Sequence, residues 1–244
     1  MHASTCDRVV PPREAGSRRR DFVRSLALAW LSMPVCCIAT QSPSLQPGSA
    51  ELRRARRSFD DLAHEASLLD LDARPGFINV AVNQRIVYAC DPASAPGGDE
   101  WSTPYETLAR GCGDCEDFAI TKYFLLIASG APQHGVRLLY ARCRGPDLTA
   151  PPMPHMVTIA RWPLGDPWVL DNINPLVVAL TWRDDLEPVF SFNASGVWPG
   201  AGIEPLPPKR GSIQRWRATQ ARTHSQSHDT SFAVSSNVRS AGRR

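Results

Sequence analysis

The stretch Cys115–Ser129, CEDFAITKYFLLIAS, limits this chain more than any other, because from Phe118 to Ala128 only Thr121 and Lys122 interrupt an apolar run. A helix without a polar face has to be covered on most sides. The rest of the chain must therefore supply layers of structure around it. Gly130 is its natural C-terminal stop.

The covering pieces can be read in order. Residues 49–70 place Leu52, Ala55, Phe59, Leu62, Ala66 and Leu69 at helical spacing with charges between them, an amphipathic helix lying on a core. Phe77–Asp91, FINVAVNQRIVYACD, is rich in β-branched residues and reads as extended or mixed structure, followed by a loop over Pro92–Glu100. Thr103 is a candidate N-cap, with Pro104 as first helical residue, Glu106 as capping-box partner and Gly111 as the end of a short helix. That helix delivers the chain through a tight turn to Cys115. Val136–Cys143, His155–Trp162 and Pro167–Asn172 read as strands, the last two joined by a turn around Pro163–Asp166. A buried helix followed by an antiparallel meander is an α+β arrangement.

At 244 residues, 43% of them hydrophobic and 21% charged, the chain has the composition of one domain with tails. Its net charge of +3 is unevenly spread: residues 41–205 carry 13 Lys/Arg against 20 acids, and residues 206–244 carry eight against one. The basic ends are thus no sign that the folded part binds nucleic acid. Residues 1–40 read as a targeting segment, in which Arg18–Arg24 precedes the apolar stretch Ser25–Ala39, too short to span a bilayer comfortably. Its Arg19-Arg20-Asp21-Phe22-Val23 resembles a twin-arginine export signal. Residues 41–210 form the domain proper, and residues 211–244, rich in Ser and Arg with few apolar side chains, read as a disordered basic tail.

Cys115 stands at the start of the buried helix, where unpaired backbone N–H groups and the helix dipole favour a thiolate. If the hairpin turns near Leu164, His155 and Asp171 project from one sheet face a diagonal apart, about 7–8 Å between backbone positions. Nucleophile, general base and a carboxylate that fixes the imidazole tautomer are the parts of a thiol protease. Asn172 and Asn174 are alternative orienting groups, since amides serve that role too. The backbone N–H of Cys115 is the first oxyanion donor, with the Trp101 indole as a second candidate.

The blocks WSTPYETLARGCGDCEDFAITKYFLL, HMVTIAR, WVLDNINP and PVFSFNASGVWPG occur in that order over roughly residues 50–200. They resemble the bacterial transglutaminase-like cysteine peptidases, the LapG-type periplasmic adhesin proteases. The resemblance implies a papain-like/transglutaminase-like fold with the nucleophile helix packed on an antiparallel sheet. Matched residue by residue, it makes Cys115 the nucleophile, His155 the base and Asp171 the orienting acid. It also implies dependence on Ca²⁺ held by Asp114 and Glu116 with Asp117 as a contributor. The remaining implications are a large repeat adhesin as substrate, cut near its N-terminus at a di-alanine site to control biofilm attachment, and an inner-membrane cyclic-di-GMP receptor that sequesters the protease.

Other readings of the same residues are transglutaminase or cell-wall amidase chemistry, in which the acyl group ends on a different acceptor, and a non-catalytic calcium-stabilised binding module. Cys112-Gly113-Asp114-Cys115 has the C-x-x-C spacing of redox enzymes without their βαβ setting, which leaves a Cys112–Cys115 disulfide as a way to block the nucleophile. With Cys90 and Cys143, four thiols of the domain admit three pairings.

Overall fold

A computed structural model describes residues 47–89, 101–162, 165–206 and 212–228 of the chain. The targeting segment, Cys90, the loop over 92–100, the tip of the hairpin at 163–164 and residues 229–244 lie outside the described residues. In chain order the helices are α1 (Ser49–Ser67), α2 (Arg74–Arg85), α3 (Pro104–Arg110), α4 (Cys115–Ala128) and α5 (Ser212–His228). The strands are β1 (Val87–Tyr88), β2 (Cys112–Gly113), β3 (Val136–Cys143), β4 (Met153–Ala160), β5 (Trp168–Leu170), β6 (Val178–Ala179), β7 (Leu186–Phe192) and β8 (Val197–Pro199).

Strands β3 to β8 form one antiparallel sheet in the order β6-β5-β4-β3-β7-β8. The meander β3-β4-β5-β6 thus runs to one edge, and β7 returns to the far side of β3. The apolar helix α4 lies against this sheet, where Thr158 Oγ1 donates to the Ala119 carbonyl at 2.7 Å, satisfying one buried hydroxyl across the interface. Its other sides are covered by α1, α2 and α3 through Phe59, Leu62, Ile78, Val82 and Tyr105.

Three expectations meet the structure differently. The amphipathic helix over 49–70 is α1, with Ala55, Phe59, Leu62 and Ala66 buried. Of extended or mixed structure over Phe77–Asp91, the extended alternative is corrected: residues up to Arg85 are helical in α2, and Val87–Tyr88 is strand. Pro75 in the first turn starts that helix, and Ile78, Ala81 and Val82 fall on one face that buries against the core, which outweighs β-branched propensity.

The disordered reading of residues 211–244 is corrected over Ser212–His228, which is helix α5. Trp216 is the reason. It is 1% exposed, and its ring meets Tyr123, Phe124 and Phe192 at centroid distances of 5.1, 5.6 and 5.8 Å. One large aromatic anchors an otherwise polar helix. Arg222 and Thr219 then donate to the Trp101 carbonyl, and Gln226 joins Thr103 and Glu106 at the start of α3.

Lys122 is fully buried on α4, and among the described residues its Nζ has no hydrogen-bond partner. It lies 5.5 Å from the centroid of the Phe118 ring. Burial pushes its ammonium down to about 7 from 10.5, against the pull of Asp171. Between those two values the unfolded chain takes up a proton that the folded chain refuses, so stability falls as the pH falls through that window. Lys122→Met keeps the volume and removes the charge. It is expected to exceed the parent in stability by about 1–3 kcal/mol at neutral pH. Urea titrations of both proteins at about pH 7 and about pH 9.5 check this, the gap narrowing at the higher pH.

Candidate active site

The start of α4 is built by short-range rules. Thr103 caps α3, accepting from the Glu106 N–H at 3.1 Å while Glu106 Oε2 accepts from the Thr103 N–H at 2.9 Å. Gly111 ends that helix at φ 67°, the left-handed conformation that glycine adopts without strain. β2 then pairs in parallel with β1, and Asp114 in extended backbone occupies the N-cap position of α4 without a side-chain capping bond. Cys115 is therefore the first helical residue, among N–H groups that no helical carbonyl satisfies.

Gly113 is required there by space. A Cβ on it would fall 2.5 Å from Asp117 Oδ2 and 2.6 Å from Asp117 Cβ. Gly113→Ala is expected to push Asp117 and the first turn of α4 outward, destabilising by about 1–3 kcal/mol and slowing alkylation of Cys115. Urea titration and iodoacetamide kinetics read the two effects separately.

The Cys115 thiol donates to Glu116 Oε2 at 3.1 Å. Burial, the Glu116 charge and its hydrogen bond, and Asp114 push the thiol far above its ordinary value, while the Met156 main-chain N–H works the other way. The sulfur thus touches the main chain of the residue that follows His155 and has no hydrogen bond to the imidazole itself.

His155 and Asp171 come together as the hairpin register requires. Thr158 pairs with Leu170, so Asp171 leaves the end of β5 one diagonal from His155. His155 Nε2 and Asp171 Oδ1 are 2.8 Å apart, with side chains 4% and 0% exposed. Ile173 N–H donates to the same oxygen at 3.0 Å, and Arg183 NH2 donates to Oδ2 at 2.7 Å. Burial works to raise Asp171, but the His155 hydrogen bond and charge, Arg183 and the Ile173 N–H outweigh it and hold the carboxyl well below the usual range. With Nε2–H given to the carboxylate, the neutral ring carries its lone pair on Nδ1.

The alternative partners do other work. Asn174 Oδ1 accepts from the Leu176 N–H in a turn, and Asn172 makes no bond to the imidazole. The Trp101 ring stacks on Phe192 at 5.7 Å, a packing role.

Residues 67–185 match the model of the bacterial transglutaminase-like cysteine proteinases. Among solved structures, Legionella pneumophila LapG is 32% identical with a TM-score of 0.58, the match covering 71% of this chain and 90% of that one. Its EGTA-treated form gives 33% identity and a TM-score of 0.60 over the same shares. The chain belongs to the bacterial transglutaminase-like cysteine proteinases. The calcium-bound form of LapG is 28% identical with a TM-score of 0.59, covering 83% of this chain and 97% of that one. No curated protein sequence matches the chain. The mixed helical and antiparallel architecture is the transglutaminase-like fold of this proteinase family.

In the proteinase, the three acids around Cys115 divide. Asp117 is buried, with Oδ1 accepting from the Ser102 N–H at 3.0 Å and Oδ2 from Ser102 Oγ at 3.3 Å and Arg110 at 3.0 Å. Burial and the Asp114 charge push it up to about 7 against those bonds. Both oxygens of Asp117, expected as a contributor to a calcium site, are thus engaged, and they tie α4 to α3 and to the segment before it that carries Ser102. Asp114 and Glu116 fit a hard cation in donor chemistry, as carboxylates that both raise the Cys115 thiol. Among the described residues, no three His, Cys, Asp or Glu side chains gather into a metal cluster.

The residue that sequence reasoning missed is Arg183. Nothing in Trp182-Arg183-Asp184-Asp185 distinguishes it from a surface charge run, and only the fold carries it onto Asp171. Cys115 and Cys143 are free thiols, so Cys115 is not joined to Cys112.

Proposed function

We propose that this cysteine proteinase is an exported, periplasmic, calcium-dependent endopeptidase with Cys115 as nucleophile, His155 as base and Asp171 as orienting acid. The buried 2.8 Å bond between His155 and Asp171, beside the strand residue that the Cys115 thiol touches, carries this reading. In the first step the thiol leaves Glu116 and its proton passes to His155 Nδ1. The thiolate adds to the scissile carbonyl carbon, whose oxygen takes up the electron pair and receives the Cys115 N–H. Collapse breaks the C–N bond, and the departing amine takes the proton from Nδ1. Water, deprotonated by His155, then splits the thioester, releasing the carboxylic acid and restoring the thiol.

Asp114 and Glu116 would hold calcium, whose charge when bound offsets the two carboxylates that keep the thiol protonated. The calcium-bound relative supports that assignment. Family likeness supports a large repeat adhesin as substrate, cut near its N-terminus at a di-alanine site to release the cell from a biofilm, and an inner-membrane cyclic-di-GMP receptor as the sequestering partner. The apolar segment at 25–39 after Arg18–Arg24 supports export.

The test is incubation of the purified protein with the N-terminal segment of a candidate adhesin from the same cell, with calcium and with EGTA. Cleavage is expected with calcium and should fall at least about tenfold with chelator. Equal rates would remove the metal from the reading. A reactive Cys115 without cleavage of any such segment would favour acyl transfer to an amine or to peptidoglycan.

A further inference from the structure

We infer that Arg183 is a positioning residue for the catalytic imidazole, acting through Asp171. The inference rests on the reading of His155 as base and Asp171 as its orienting acid. Asp171 has two oxygens and both are committed, Oδ1 to His155 and the Ile173 N–H, Oδ2 to Arg183 NH2. A carboxylate held at one oxygen still turns about its last torsion, whereas one held at both presents Oδ1 to the ring in a single orientation. With its side chain fully buried, Asp171 without Arg183 would also carry an unpartnered anionic oxygen.

The guanidinium is itself aimed. Arg183 follows the one-turn helix Leu180–Trp182, its N–H bonding back to the Leu180 carbonyl at 3.0 Å. Its Nε and NH2 grip the two oxygens of Asp185 at 2.8 and 2.7 Å, a fork that leaves NH2 directed at Asp171 as well. The side chain is 2% exposed, while the neighbouring Trp182 is 61% exposed. Its NH1 is buried without a hydrogen-bond partner among the described residues. Burying a cation this way, with one donor left unmet, seldom adds stability on its own account. The arrangement does give Asp171 a fixed rotamer and a fixed charge. Through Asp171 it fixes the tautomer that places the lone pair on Nδ1, where a proton from the thiol has to arrive.

The groups around Asp171 come from every neighbouring element. They are His155 on β4, Arg183 and Asp185 before β7, Cys143 on β3, and Lys122 reaching it from α4 by charge alone. Of the two cations, only Arg183 makes a hydrogen bond to the carboxylate.

The experiment pairs kinetics with ¹⁵N NMR of the histidine ring in full-length protein, comparing the parent with Arg183→Met, Arg183→Lys and Asp185→Asn. In the parent the His155 ring is expected as a single tautomer, Nε2 protonated and Nδ1 bare. Arg183→Met should give a mixture of tautomers and lower kcat by about 10–100-fold with KM within about threefold. Arg183→Lys should restore part of the rate, since it returns the charge without the fork. Asp185→Asn, which removes the aim of the fork and leaves Arg183 in place, should show the same tautomer mixture in smaller degree, and it serves where Arg183→Met does not fold.

An unchanged His155 tautomer in folded Arg183→Met or Asp185→Asn would overturn the inference, as would a loss confined to KM. The NMR readout needs no substrate. A shifted tautomer in a protein that cleaves no adhesin segment would uphold the role of Arg183 while sinking the substrate proposed above.

Discussion

Cys115→Ala is expected to leave the folded protein with no measurable cleavage, a loss on the order of 10⁵–10⁶-fold in kcat/KM. The substitution removes the only atom placed to attack a carbonyl at the start of α4, where the sulfur lies between Glu116 and the Met156 N–H. His155→Ala should come close to the same loss, because the imidazole is the base that draws the proton from a thiol held protonated by burial and two carboxylates. The double variant should be hardly worse than either single one, since the residues act as a unit. Stability should barely move in Cys115→Ala, as the thiol is only partly buried and alanine suits a helix start. A residual rate within about a hundredfold of the parent would show that a different nucleophile does the work.

Trp216→Ala should have the largest effect on stability, a loss of about 3–5 kcal/mol. The ring is buried among Tyr123, Phe124 and Phe192, so its removal opens a cavity against the second half of α4. It also releases α5, whose other buried side chains, among those described, are Thr219 and Thr223. Freed α5 no longer supplies Arg222 and Thr219 to the Trp101 carbonyl, or Gln226 to the α3 capping box. Ser102, which holds Asp117 at the first turn of α4, adjoins that carbonyl. The variant should therefore lose activity at temperatures where the parent is intact and regain it on cooling. Urea titration of the two proteins, with cleavage measured across the same temperatures, checks both parts. A loss below about 1 kcal/mol would mean that α5 is an ornament on the fold.

Much of the site was legible because it rests on neighbours in sequence. The capping box at Thr103 and Glu106, the left-handed Gly111 and the placement of Cys115 at the helix start are all decided within about ten residues. Composition and separation marked the two strands, and two strands with a short connection leave His155 and Asp171 one diagonal apart on the same face. What misled the reading was propensity without partners. Val80, Val82 and Ile86 looked extended until the packing of Ile78, Ala81 and Val82 on α4 was known. The polar sequence of 212–228 looked unstructured because a single tryptophan makes no periodic pattern.

The sequence by itself determined a helix that had to be buried, a cysteine at its start, and a histidine and an aspartate delivered in that order by an antiparallel pair. Only the tertiary structure decided which acids are tied to distant segments. Asp114, Glu116 and Asp117 are indistinguishable as a run of carboxylates, and they part because Ser102 and Arg110 come to Asp117 from α3 and the segment before it. Asp171 and Asn172 are neighbours in the chain, yet only the first meets the imidazole, since one residue of strand turns a side chain to the opposite face. Arg183 becomes part of the site through a turn and a second strand. Local hydrogen bonding and periodicity act over a few residues and leave a mark in the sequence, whereas the pairing of buried charges depends on which distant segments the core brings within about 3 Å.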